Sequence, residues 1–226
     1  MVSARMASIH ESTTLKISAM AKKLAASGLD IIDMGVGEPD FDTPKHIVEA
    51  GCNSIRMGET HYAPTVGIPE LRQAIAEKLS RENQIPAEAE DVIVTPGAKM
   101  AVFAAIQALL QEGEECILIG PSWVSYEPSV AFAGGKVVWS EVDEDFMPHN
   151  IAETISPKTR LVIVNSPSNP TGAVFGRQVL EEIRDLAVDR DLFVISDEIY
   201  EKIIYDNEHI SMASLPGMGE RTVTIN

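Results

Sequence analysis

Asn165-Ser166-Pro167-Ser168-Asn169-Pro170-Thr171-Gly172 is the stretch whose reading decides the fold. It follows a short apolar run, Leu161-Val162-Ile163-Val164. An apolar run closed by turn residues reads as a strand buried on both faces of a parallel sheet. Two prolines then remove backbone donors and fix φ, so the chain leaves the strand through a stiff turn. Asn169 stands in that turn, at the carboxyl end of the strand, the edge where open α/β sheets bind ligands. A second strand ends the same way in Phe193-Val194-Ile195-Ser196-Asp197-Glu198-Ile199-Tyr200, with a carboxylate at its tip and a phenol soon after. If the two strands are neighbours, Asn169, Asp197 and Tyr200 converge on one crevice.

The surrounding chain repeats the same rhythm. Val92-Ile93-Val94 predicts a strand, and Thr95-Pro96-Gly97-Ala98-Lys99 a tight loop opening a helix over 100–111. A strand, a glycine turn and a helix N-terminus can hold an anion, because free N–H groups and the positive dipole end point the same way. The turn carries neither a dinucleotide nor a nucleoside-triphosphate signature, and taken alone it reads first as an ordinary strand-to-helix connection. Further strands are expected at Glu115–Ile119, Lys136–Ser140 and 222–226, and a helix at Arg177–Asp189. Trp123, in Gly120-Pro121-Ser122-Trp123, lies just past a strand end, where an indole can stack on an aromatic ring or simply fill core. Trp139, inside its strand, reads as packing. Strand–helix–strand repeats imply right-handed crossovers and an α/β fold of three layers, αβα, with a mostly parallel sheet.

The N-terminal part is less regular. Residues up to Ser12 read as an arm, 14–26 as a helix stopped by Gly28, and Ile31-Ile32-Asp33-Met34 as a short strand. Gly35-Val36-Gly37-Glu38-Pro39-Asp40-Phe41 is a loop with few side chains to block a ligand. Helices are expected over 44–57 and 69–81, each with proline in its first turn, the second with Leu71, Ile75 and Leu79 on one face. Between them lies a loop, Tyr62-Ala63-Pro64-Thr65-Val66-Gly67, whose tyrosine taken alone reads first as a half-buried packing residue.

The chain has 226 residues, 45% hydrophobic and 23% charged, enough for a sizeable core. A net charge of −16 makes nucleic acid and anionic membranes poor partners. No apolar run approaches a membrane span, and no secretory leader is recognisable at the start. The two cysteines, Cys52 and Cys116, have no metal-like spacing and are expected as buried free thiols in a reducing, cytoplasmic setting.

The trio at the sheet edge is chemically specific. A desolvated acid stays ionised best facing a cation such as a protonated ring nitrogen. An amide and a phenol can hydrogen-bond a ring oxygen. Pyridoxal phosphate (PLP) has both features and needs its nitrogen held protonated. Asn-Pro-Thr-Gly followed by Ser-Asp-Glu-Ile-Tyr resembles the class I/II aminotransferases, the aspartate aminotransferase family of fold type I, over about residues 14–226. The resemblance implies that Gly97, Ala98 and Lys99 lie on the cofactor phosphate, with Tyr62 reaching the phosphate of a neighbouring subunit in a homodimer. It implies that Trp123 stacks on the ring, Asp197 pairs with its nitrogen, and Asn169 and Tyr200 flank its oxygen. Gly37, Asn169 and Trp123 would meet the substrate. Lys99 also hints at an acidic amino acid such as aspartate, with 2-oxoglutarate as the oxo acid. By the same resemblance, 1–45 forms an N-terminal arm and part of a small domain, and 46–226 an incomplete PLP-binding large domain.

In the family, the Schiff-base lysine and the arginines that grip phosphate and substrate carboxylate follow the strand matching 222–226. They are absent from this sequence, so no catalytic residue is assigned within it, and Lys99 and Lys202 are poorly placed to substitute. The expectation is that residues 1–226 are a portion of a longer enzyme, with little or no transaminase activity alone. Two alternatives share the motifs: a PLP-dependent carbon–sulfur lyase or aminocyclopropane-carboxylate synthase-like enzyme, and a non-catalytic binding or dimerising module. No metal site is expected.

Overall fold

The computed structural model describes Met6, residues 13–32, 34–35 and 37–226, the first three residues of the second stretch by backbone alone. The arm expected up to Ser12, Met6 apart, lies outside these residues, as do Asp33 and Val36. Contacts divide the chain into two compact units, one containing Val66–Asn226 and one within His10–Thr65.

In the smaller unit, α1 spans Thr13–Ala26 and α2 spans Lys45–Arg56. Gly28 ends the α1 region at φ +89, a left-handed conformation that glycine adopts without penalty. Pro44 caps α2 from outside. Ile31, Ile32 and Met34 do not form the expected strand. An apolar run becomes a strand only where a neighbour completes its ladder, and Ile32 and Met34 are largely exposed. Cys52, on α2, is exposed, contrary to expectation.

The larger unit is built on α3 (Pro69–Lys78), α4 (Ala98–Leu109), β1 (Glu115–Ile119), α5 (Tyr126–Phe132), β2 (Lys136–Ser140), α6 (Ile151–Thr154), β3 (Thr159–Asn165), α7 (Arg177–Asp189), β4 (Phe193–Asp197) and β5 (Thr222–Ile225). The strands form one sheet in the order β2-β1-β3-β4-β5, with every pairing parallel. Alternate residues of each strand enter different cores. Ile117, Val162, Val164 and Val194 pack with Leu180, Ile183 and Ala187 of α7. Cys116, Leu118, Leu161, Ile163 and Ile195 pack with Val102 and Ile106 of α4 and Tyr126 and Val130 of α5. Helices on both faces explain the nearly continuous apolar runs of β1, β3 and β4, and give the expected three layers. Burial pushes the Cys116 thiol well above its usual range.

Several local expectations change. Residues 92–94 are not a strand: Val94 N–H bonds the Val66 carbonyl at 2.9 Å and Arg72 Nε bonds the Val92 carbonyl at 3.0 Å, so a loop and a guanidinium replace a ladder. Val94 packs so closely on Gly67 that a Cβ there would sit 2.5 Å from it, and Gly67 has φ +104. Helix α3 gives way to a π-turn at Leu79–Asn83, closed by Gln84 at φ 57. On α3, Ala76 is the buried side chain, while Leu71 is exposed and Ile75 half-buried. Trp139 is 45% exposed on edge strand β2, against its reading as packing. No helix of the described residues is long and apolar enough to cross a membrane.

Candidate active site

The site grows from the paired ends of β3 and β4. Asn165 and Asp197 are register partners at those ends. The buried Asn165 amide staples the turn onto β4: Nδ2 donates to the Asp197 carbonyl at 2.9 Å and to the Pro167 carbonyl at 3.1 Å, and Oδ1 accepts from Asn169 N–H at 2.7 Å. The turn closes on itself as Gly172 N–H bonds the Ser168 carbonyl at 2.8 Å, with Gly172 at φ +75. Asn169 is thereby held over β4, and its Nδ2 lies 3.4 Å from the Tyr200 hydroxyl.

Asp197 is only 3% exposed. Its Oδ2 accepts the Tyr126 hydroxyl at 2.6 Å, and its Oδ1 accepts the Ile199 amide at 3.4 Å. Burial raises its carboxyl above the usual range, the two neutral donors oppose that rise, and the adjacent Glu198 charge adds to it. Burial and the facing Asp197 charge likewise push the Tyr126 phenol up. The Tyr126 ring meets Trp123 edge to face, with centroids 5.3 Å apart and planes at 84°. The Lys99 ammonium lies 5.2 Å from the centroid of the same indole. Gly97, Ala98 and Lys99 begin α4. Gly97 is its N-cap at φ 87, and a Cβ there would meet nothing within 4 Å, so the turn is open above. The Ala98 and Lys99 amides fall in the first turn, where no helical acceptor precedes them.

The structure therefore brings together Lys99, Trp123 and, through Tyr126, Asp197. It joins Asn169 to Tyr200, and Asn165 ties Asn169 to β4. Gly37 and Tyr62 belong to the other unit, and within the chain Tyr62 is fully exposed. Lys202 is engaged elsewhere, its Nζ 2.8 Å from Glu82. Sequence reasoning missed Tyr126 and the stapling role of Asn165. The latter had a signal, as a polar residue closing an apolar run.

Beside the site, Glu198 points to the opposite face. It receives Ser196 Oγ at 2.8 Å, Ser211 Oγ at 2.6 Å and the Met212 amide at 3.2 Å, and meets His209 Nε2 at 2.8 Å. Glu201 is held by Lys78, Asn83 and Asn226. Burial works against the Glu201 charge, but these donors outweigh it and leave its carboxyl low. Glu198, Glu201 and His209 bring ligand atoms within 4.8 Å of one another, but the Lys78 ammonium already serves the Glu201 carboxylate, and the group reads as a brace.

Residues 29–225 match the family model described as aminotransferase class I and II. The chain belongs to that family. Members are PLP-dependent. The chain is 44% identical over 229 residues to the aspartate/prephenate aminotransferase of Thermus thermophilus, covering all of this chain and 59% of the relative. It is 47% identical over 209 residues to the aspartate aminotransferase of Pyrococcus abyssi, covering 90% of this chain and 54% of the relative. A solved structure of Thermus thermophilus aspartate aminotransferase with maleate superposes at a TM-score of 0.95 with 44% identity, covering 99% of this chain and 59% of that one. The chain thus spans less than two thirds of the length of the curated relatives it matches.

Proposed function

We propose that this class I and II aminotransferase chain holds PLP at the carboxyl edge of its sheet, within an enzyme that passes an amino group from an amino acid to a 2-oxo acid. Asp197 carries the reading. A carboxylate this buried, met by neutral donors, is costly to ionise, and a facing cation would offset that cost. A ring N–H⁺ is such a cation, and the chemistry the cofactor supplies when bound is an electron sink for the substrate's α-carbon. The chain's residues bind and orient it. Trp123 stacks on the ring. Asn169 and Tyr200 direct an amide and a phenol at the ring oxygen. Gly97, Ala98 and Lys99 hold the phosphate at the start of α4.

Homodimerisation would bring Tyr62 of the partner subunit to the same phosphate, which accords with that ring's full exposure within one chain. Gly37, Asn169 and Trp123 contact the substrate. The cofactor-binding domain falls within 46–226, with its sheet and helices α3–α7 all in the compact unit that contains Val66–Asn226, and the arm and part of a small domain within 1–45. Aspartate, the amino acid in the names of the Thermus and Pyrococcus relatives, or another acidic amino acid is the donor, with a 2-oxo acid such as 2-oxoglutarate as the acceptor.

Pyridoxamine phosphate tests the reading, because it needs no covalent link to bind. In a Trp139→Phe background Trp123 is the only indole, and titration should quench its fluorescence saturably. Asp197→Asn should weaken binding at least tenfold, about 1.4 kcal/mol. Absence of saturable quenching, or equal affinity in the Asn variant, overturns the proposal.

A further inference from the structure

We propose that Tyr126 is the positioning residue of this site: its hydroxyl fixes the Asp197 carboxylate toward the ring nitrogen while its ring props the Trp123 indole over the ring face. The inference rests on the cofactor reading above and extends it to a residue that holds two of the side chains assigned to the cofactor.

The geometry is unusual in joining both tasks in one side chain. Tyr126 is 1% exposed, at the start of α5, locked between α4 and the β3–β4 part of the sheet. Its hydroxyl gives Asp197 the shorter of that carboxylate's two hydrogen bonds, 2.6 Å against 3.4 Å from the Ile199 amide. A carboxylate with one strong donor on one oxygen cannot rotate freely, so Oδ1 keeps a constant direction. A short phenol bond also favours the charged acid over its neutral form, against the burial that does the reverse. The same ring meets Trp123 at 84°, an edge-to-face contact that fixes the tilt of the indole. Ring nitrogen and ring face are thereby set by one rigid element. Among the described residues, the charged and titratable groups that face this pair are Glu198 next to Asp197, Tyr200 in the following turn, and Lys99 across Trp123.

Two measurements separate this role from packing. In chain labelled with ¹³C at aspartate carboxyls, the Asp197 resonance is assigned by its loss in Asp197→Asn and followed from pH 4 to pH 9 without cofactor. Tyr126→Phe keeps the ring and removes the donor. It should move the Asp197 midpoint upward by about one unit, a tenfold shift in the proton equilibrium. Tyr126→3-fluorotyrosine makes a stronger donor in the same volume and should move the midpoint down, which guards against a Phe variant that folds poorly. The second measurement is the ¹⁵N resonance of ring-labelled pyridoxamine phosphate in the wild-type and Phe chains at pH 7.5. It should sit at the pyridinium position in the wild type and shift toward free pyridine in the variant. Midpoints that do not move in either variant, with pyridoxamine phosphate still bound, overturn the role of Tyr126 alone. Failure of the wild-type chain to bind pyridoxamine phosphate overturns the cofactor reading, and with it Tyr126's role toward the ring.

Discussion

Asp197 and Glu198 are consecutive carboxylates, both buried, on opposite faces of the same strand end. Glu198 is surrounded by donors: Ser196, Ser211, the Met212 amide and the His209 ring. Asp197 has one strong donor and one long one. A saturated buried acid belongs to the architecture, since its neighbours already answer its charge. An undersupplied one is a standing cost to the fold, tolerable where a ligand repays it. The two residues show how a single strand can brace the structure with one face and expose chemical demand with the other.

The comparison can be broken most forcefully at Glu198. Glu198→Ala would strand the hydroxyls of Ser196 and Ser211, the Met212 amide and the His209 ring together, and should cost about 3–4 kcal/mol in urea unfolding. A loss below about 1 kcal/mol would show that the cluster is no brace. Asn165→Ala removes the staple between the two strand ends and should cost about 2 kcal/mol, and it should also weaken pyridoxamine phosphate binding because Asn169 is released. An unchanged affinity would detach the turn from the site.

Asp197→Asn should behave in the opposite way to Glu198→Ala. Burial raises the Asp197 carboxyl, so the folded chain binds that proton more tightly than the unfolded chain. Stability then falls as pH climbs from the ordinary carboxylate range through the raised value. The Asn variant escapes that fall. Its melting temperature should match wild type at pH 4 and exceed it at pH 8 by about 2–4 °C. A variant that melts lower at pH 8 would refute the undersupplied state of Asp197. The smallest expected change is at Asn169→Ala, whose side chain makes a 3.4 Å contact with Tyr200. Stability should stay within about 0.5 kcal/mol, with a few-fold drop in pyridoxamine phosphate affinity.

How much of this was legible in the sequence follows from how far apart the interacting residues lie. The strand ends at Asn165 and Asp197 were readable because apolar runs and turn residues are local signals. The convergence of Asn169 and Tyr200 followed once neighbouring parallel strands were assumed. Tyr126 was not readable, since its hydroxyl partner lies 71 residues away and nothing in Trp-Val-Ser-Tyr marks it. The Glu198 brace was hidden too, since it gathers Asn83 from 115 residues away, and His209 from a loop 11 residues on with no periodic signal. Residues 92–94 misled in the other direction. Their apolarity correctly signals a buried Val92, but a ladder requires a partner that composition cannot supply.

The pleat of β4 also limits how this region can evolve. Val194, Ser196 and Glu198 address one layer while Ile195 and Asp197 address the other. Losing or gaining one residue in this strand would exchange the two acids, turning the answered charge toward Tyr126 and the unanswered one into the serine cluster. Length changes here should survive only in pairs, which makes the spacing of this strand, more than any single side chain, the inherited property of the site.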